Sequence, residues 1–384
     1  MNLAKLAIRN VTRHKLRSAL TILGLAIAIM SFILIRTVIS AWYFGVEMAS
    51  DNRMVTRNSI SIITPIPLSY KEKIAKIKGI KNIGYGNWFG GYYKDEKNFM
   101  SNFAIDTNYL KLYPEILITP EERRNFEIHR NGCIVGKKLA ARFGWKKGDT
   151  VRITGNIFAG EWDFVIEGLY KASKKSVDET MFFFRWDYLN ERKKIIMPSE
   201  VDHVGWFLFW IENPDDAAKI SNEIDAMFKN SSSETITETE KAFQLGFLSM
   251  VEAIVKALRI VSAIIIVIIL VILLNTMAMA ARERIPEYAT LKAMGFGGRK
   301  LFSLILGESL TIAAGGAAIG IPLTFPLVKI FGKAIETYLP VISVSNDTIW
   351  MGLLIAFAVG ILASLFPAWR AINTPIATSL RKIG

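Results

Sequence analysis

A single cysteine, Cys133, and three histidines, His14, His129 and His203, are all that this 384-residue chain offers for redox chemistry or soft-metal binding. One thiol excludes an intrachain disulfide, even in an oxidising compartment. The histidines are far apart and lack ligand spacing, so no zinc or redox site is expected. Cys133 reads as a small core residue, with a reactive thiol as the alternative. Charge is missing as well: Ser18 to Ile35 and Ile260 to Ala281 are uncharged runs of 18 and 22 residues. Each is long enough to cross about 30 Å of hydrocarbon, which excludes an ordinary soluble protein.

A basic excess is absent where nucleic-acid binding would need it. The formal charge is +13, yet Ser40 to Lys256 holds 30 Lys+Arg and 29 Asp+Glu, while the rest of the chain holds 17 Lys+Arg against 5 acids. The excess sits beside the apolar runs, as in a membrane protein, and leaves no basic stripe to track a phosphate backbone. No nucleic-acid partner is expected.

Catalytic constellations are also missing. The acidic pairs Glu121-Glu122, Asp178-Glu179 and Asp215-Asp216 could do acid-base work, but they read more simply as solvated helix ends and loops. Gly132 to Lys138 resembles a phosphate loop only superficially, because the glycine spacing is one short and no Ser or Thr follows the lysine. The chain is expected neither to be an enzyme nor to bind a cofactor itself.

What is present is a multi-pass topology in the cytoplasmic (inner) membrane. Lys5, Arg9, Arg13, Lys15 and Arg17 precede the first apolar run with no acid among them, which keeps that end in the cytoplasm. The run is longer than a signal-peptide core and is followed by Arg36 where small cleavage residues would be wanted, so it reads as an uncleaved anchor. The chain divides into a basic N-terminal helix (1–17), a first span (18–39), an extracytoplasmic domain (40–240), a stalk helix (241–259) and a second span (260–281). A cytoplasmic helix (282–300), a third span (301–327), an outer loop (328–348), a fourth span (349–366) and a cytoplasmic tail (367–384) follow. Arg282, Arg284, Lys292, Arg299 and Lys300 flank the second turn, and Arg370, Arg381 and Lys382 the tail, so both termini are cytoplasmic.

Within 40–240 helical and strand signals alternate, so the inserted domain is expected to be α+β. Ser69 to Glu72 has the spacing of a capping box, and Asn213-Pro214 that of a second helix start with Ala217, Ile220, Ile224, Met227 and Phe228 on one face. Strands are expected at Thr150 to Thr154, Phe164 to Leu169 and Gly205 to Ile211. The apolar run Trp206 to Ile211 fits a strand buried on both faces. Between Met181 and Tyr188, Phe184, Trp186 and Tyr188 alternate with Arg185 and Asp187. An extended chain there would expose an aromatic face to an amphiphilic substrate or a partner, with ordinary packing as the alternative.

From Lys241 the sequence stays helix-compatible through Phe243, Phe247, Val251 and Ile254 into the second span. Some 41 residues at 1.5 Å each give about 60 Å, so half of an unbroken helix would stand outside as a stalk, with Ala41 to Met48 as its partner. In the membrane, Gly316 and Gly320, and Gly352, Ala356, Gly360 and Ser364, recur at four-residue spacing that favours close packing, within one protomer or across a dimer seam. Glu308 would lie about 12 Å inside the third span, as a polar lock with another span or as a side chain reaching the interface.

After the second span, Pro286 near a helix start, apolar Ala289, Leu291 and Met294, and Gly295 as a stop describe a short amphipathic helix. On physics alone it is a connector on lipid headgroups or a docking element. Its run Glu287, Tyr288, Leu291, Lys292, Met294, Gly295, followed by Gly307-Glu308-Ser309 and Gly315 to Gly320, resembles the permeases of MacB/FtsX-type ABC transporters. The ending Pro367-Ala368-Trp369-Arg370-Ala371 with Pro375 and Leu380-Arg381, and the start Ala7 to Asn10 with Arg13 and Arg17 to Thr21, are similar to the same family. Val135 to Thr150 resembles its MacB-like periplasmic core. Pro286 departs from the family pattern, and the long outer domain favours the exporter or lipoprotein-release branches over the cell-division one.

The resemblance implies that Glu287 to Gly295 couples to a separate ATP-binding subunit, which holds ATP and Mg. It implies a second permease subunit, as homodimer or paralogue heterodimer, and leaves room for an extracytoplasmic adaptor or lipoprotein. Force rather than a pore would then serve export or release of a lipoprotein or amphiphile. The rival readings are a membrane-anchored cell-envelope sensor or regulator without an ATPase partner, and a membrane-bound hydrolase.

Overall fold

Two units make up the chain: Met1–Trp42, Val251–Ala334 and Ile342–Gly384 form one, and Tyr43–Met250 with Ile335–Val341 the other. The computed structural model describes residues 6, 9–11, 13–173, 177–335 and 342–374, apart from the side chains of residues 44, 45, 47, 48 and 333–335. Lys5, Ala7, Pro375, Leu380, Arg381 and Lys382 lie outside the described residues.

The first unit is built on helices Lys15–Met48, Glu252–Glu283, Gly298–Ile335 and Asn346–Asn373. Their apolar segments Lys15–Tyr43, Glu252–Glu283, Gly298–Gly332 and Asn346–Asn373 are the four transmembrane spans. The third carries Pro322 and Pro326 in its interior, and the Thr324 hydroxyl donates to the Gly320 carbonyl at 2.9 Å. Side-chain bonds of this kind help membrane helices tolerate proline.

The small residues pack within the protomer. A Cβ on Gly316 would stand 2.7 Å from Leu25 Cβ, and one on Gly320 2.5 Å from the Ala26 carbonyl oxygen. On the fourth span, Gly352 meets Ile33, Gly360 meets Ala313 and Leu310, and Ala356 and Ser364 are buried. Ser309 Oγ donates to the Gly360 carbonyl at 2.7 Å. Glycine lets these backbones approach to distances any side chain would forbid.

The inserted unit is an α+β domain on an 11-stranded mixed sheet. Thr235–Thr239 forms one edge, followed in space by Arg53–Asn58, Trp206–Ile211, Ile80–Trp88, Asn102–Ile105, Phe182–Arg185, Gly132–Gly136, Gly160–Ala172, Thr150–Gly155 and, at the other edge, Gly91–Tyr92, while Ile116–Leu117 pairs with Gly160–Ala172 off this path. Both faces are covered. Phe207 and Phe209 point into one hydrophobic cluster, Trp206 and Leu208 into the other. Phe182 and Phe184 split from Phe183 in the same way. Period-two side-chain alternation explains why such strands read as continuous apolar runs.

Three expectations are corrected. Ser69 makes no capping bond; the capping box is at Thr119 and Glu122, where Thr119 Oγ1 accepts from the Glu122 N–H and the Glu122 carboxylate accepts from the Thr119 N–H. The extended reading through Tyr188 stops at Arg185, because Trp186 opens the helix Trp186–Ile196. The helix from Lys241 is interrupted: Glu240–Met250 and Glu252–Glu283 are separate, and Val251 has φ −106° and ψ 7°, well away from α-helical values.

Candidate functional site

The polar chemistry of the membrane unit gathers in the turn between the second and third spans. Arg284 ends the helix Glu252–Glu283 and is followed directly by the short helix Ile285–Ala293, with Pro286 in its first turn, where proline lacks only an N–H that would be unbonded anyway. Gly295, at φ +87°, closes that helix: its N–H donates to Lys292 and the Phe296 N–H to Leu291, in the manner of a glycine C-cap.

The short helix is held from below and open above. Tyr288 is buried in the membrane core cluster, Ala289 is buried beside it in sequence, and Leu291 packs against the cluster's margin. Burial pushes the Tyr288 hydroxyl up to about 12, so the ring stays neutral. Lys292 donates to the carbonyls of Ile372 and Thr374, at the end of the fourth helix where a cation complements unsatisfied carbonyls. Met294, by contrast, is 63% exposed.

Charges brace the turn from three sides. Arg284 Nη1 donates to Glu308 Oε2 at 2.8 Å, and both residues are buried. Glu287, half-exposed, pairs with Arg13 of the N-terminal segment. Arg17 holds Glu283 through two hydrogen bonds of 2.7 Å. Glu308 is therefore neither a stranded charge nor an interface side chain; it locks the third span to the turn. The ionic partners were not found from sequence spacing, since Arg13 and Glu287 are 274 positions apart. The only available signal was the presence of acids among otherwise basic flanks.

Of the two readings of the stretch from Met181 to Tyr188, an exposed aromatic face and ordinary packing, the structure shows packing. Phe184 is fully buried, and Trp186 is buried with its Nε1 donating to Asn87 Oδ1 at 2.7 Å. Tyr188 packs edge-on against Trp162 and Phe164. The alternation reports two covered sheet faces and then a helix, so no substrate face is left there. Of the stalk residues, Phe243 and Phe247 stack edge-to-face at 5.0 Å within Glu240–Met250, Ile254 is exposed, and Val251 marks the interruption. Cys133 is wholly buried, and no cluster of metal-binding side chains occurs among the described residues.

Four spans carrying a large extracytoplasmic α+β insertion between the first and second define a class of multi-pass membrane proteins, and sequence comparison places the chain within it. Residues 18–227 match the MacB-like periplasmic core domain and residues 259–376 the FtsX-like permease C-terminal domain. The chain belongs to the MacB/FtsX-type ABC transporter permeases. An uncharacterized ABC transporter permease of Methanocaldococcus jannaschii is 25% identical over 393 residues, covering 94% of this chain and 93% of that one. An uncharacterized ABC transporter permease protein of Mycobacterium tuberculosis is 26% identical over 271 residues, covering 68% of this chain and 30% of that longer protein. Among solved structures, the extracellular domain of the noncanonic ABC-type transporter YknZ from Gram-positive bacteria aligns with TM-score 0.37 and 10% identity, over 49% of this chain and all of that one.

Proposed function

We propose that this chain is the force-transmitting permease subunit of an ABC transporter. The helix Ile285–Ala293 docks in a groove on a separate ATP-binding subunit, which binds ATP and Mg, and its displacement is carried through the second span to the inserted domain. The observation that carries this reading is the helix itself: buried Tyr288 and the Arg284–Glu308 pair anchor it, while Met294 remains exposed. A rigidly based helix with an exposed apolar tip transmits displacement, whereas a headgroup-lying connector would need no buried ionic anchor.

The basic flanks support an inner-membrane orientation with both termini and this helix in the cytoplasm. With four spans and a single docking helix, the chain works with a second permease subunit, identical or paralogous. Membership of the ABC transporter permeases supports hydrolysis on an ATP-binding partner. Handling of an exported molecule or amphiphile falls to the inserted domain, alone or with an adaptor or lipoprotein. The test is reconstitution in lipid nanodiscs with the candidate ATP-binding subunit. Stable association and ATP hydrolysis that respond to substitution at Met294 support the reading; a chain that binds no ATPase returns it to the sensor class.

A further inference from the structure

A second buried charge cluster lies inside the inserted domain, where the chain enters and leaves it. Arg53 opens the strand Arg53–Asn58, a few residues after the helix that contains the first span; Glu240 opens the helix Glu240–Met250, directly after the strand Thr235–Thr239. These strands pair antiparallel with Met54 opposite Thr239, which brings Arg53 and Glu240 together at the sheet edge. Arg53 Nε donates to Glu240 Oε2 at 2.7 Å, and the Ser50 backbone N–H donates to the same oxygen at 2.9 Å. The Tyr113 hydroxyl donates to Glu240 Oε1 at 2.9 Å. Arg53 Nη1 turns inward, donating to the Leu112 carbonyl at 3.0 Å and to the Glu115 carboxylate at 3.1 Å, and the guanidinium lies 4.3 Å from the Tyr113 ring centroid. Arg53 is 3% and Glu240 6% exposed.

A buried ion pair is a poor source of net stability, because desolvation cancels most of its attraction. What this one supplies is geometry. A single carboxylate ties the incoming chain at Ser50, the first strand at Arg53 and the outgoing helix to the domain interior through Tyr113. We propose that Arg53 and Glu240 form a positioning clasp, the joint that makes the inserted sheet follow displacements of its two flanking helices rather than letting the linkers absorb them. The clasp rests on the mechanical reading above.

The experiment uses the full chain assembled with its ATP-binding subunit in nanodiscs, with spin labels on cysteines introduced at exposed Lys138 and Asp347; Cys133 is buried and does not compete. A nucleotide-driven change in the Lys138–Asp347 distance in the unsubstituted protein tests the mechanical reading by itself. Glu240→Gln is expected to shrink that change about twofold or more, and to speed amide exchange in the first turn of Glu240–Met250 about tenfold, with exchange in Trp206–Ile211 and ATP turnover unchanged. An undiminished change in Glu240→Gln overturns the clasp and leaves the mechanical reading standing. No change in the unsubstituted protein removes both. Should Glu240→Gln loosen the whole sheet, Arg53→Lys decides: it keeps the charge but not the forked set of bonds, and a distance change equal to that of the unsubstituted protein overturns the proposal.

Discussion

Arg284, at the end of the second span, and Glu308, inside the third, form a 2.8 Å ion pair from which solvent is almost wholly excluded. The pair ties the start of the inter-span turn to the third helix ten residues beyond its first residue. One further guanidinium nitrogen, Nη2, finds no hydrogen-bond partner among the described residues. An arrangement this enclosed is sensitive to the loss of either member, since the survivor is left charged and buried. Glu308→Leu or Arg284→Met is therefore expected to destabilise the membrane unit by about 3 kcal/mol or more, and the two together to regain most of the loss. Thermal unfolding of the four proteins in one detergent measures this, and simply additive costs would show that the two groups do not depend on each other.

Met294 and Leu291 separate docking from packing. Met294→Asp places a charge on an exposed tip and is expected to leave folding unchanged while weakening ATPase association tenfold or more, about 1.4 kcal/mol. Leu291→Asp puts its charge against the membrane core cluster and is expected to lower yield and stability instead. Pull-down affinity and unfolding midpoint, measured on both variants, distinguish the two effects; equal binding losses at equal stability would place Leu291 in the interface too.

The interruption at Val251 changes where a helix breaker should act. Val255 is buried and its N–H donates to the Val251 carbonyl at 3.0 Å, so Val255→Pro removes that bond and clashes with the preceding turn, at about 3 kcal/mol. Val251→Pro falls at the junction, where the regular helix is already broken, and is expected to cost much less. ATP-dependent domain movement should fail in the first variant and persist in the second. Equal impairment would mean that the junction itself carries the force.

Lys193 gives the inserted domain a pH signature. It is completely buried, its Nζ donates to the His203 carbonyl at 2.9 Å, and burial pushes its pKa down to about 8 from 10.5, against the opposing pull of Glu200 and Asp202. Between those values the unfolded chain binds more protons than the folded one, so stability rises with pH across that window, and the full cost of burying the cation is present below it. Lys193→Met is expected to stabilise the domain at neutral pH by about 2 kcal/mol and to flatten the rise. Unfolding midpoints of the full chain between neutral pH and pH 10 provide the comparison; parallel curves for the two proteins would refute the assignment.

How far the sequence could be read depended on the range of each interaction. The spans follow from local composition, since an uncharged run of 22 residues has few other uses. The short helix after the second span was visible through Pro286 and Gly295, which act within one turn. The ionic partners of Arg13, Arg17 and Arg284 were not visible, because nothing in local spacing says which distant acid a cation will meet. The stretch from Phe182 to Tyr188 misled for a related reason: one alternating pattern fits a half-exposed strand and also a doubly covered strand running into a helix, and only the sheet order, with Phe182–Arg185 between Asn102–Ile105 and Gly132–Gly136, decides between them. The break at Val251 has no proline or glycine to announce it.

The pairing of Arg53–Asn58 with Thr235–Thr239 also governs when the domain can be completed during synthesis. The first strand emerges early, but its two neighbours in the sheet, Trp206–Ile211 and Thr235–Thr239, are made only at the end of the insertion, just before the second span. Until then that strand keeps two unpaired edges, and long-range pairing of this kind is slow and prone to association. Closure of the sheet thus coincides with arrival of the second hydrophobic segment at the membrane. A nascent chain stalled before Thr235 would lack the edge strand, so ribosome-bound intermediates of graded length should gain protease resistance only once Thr239 has cleared the membrane.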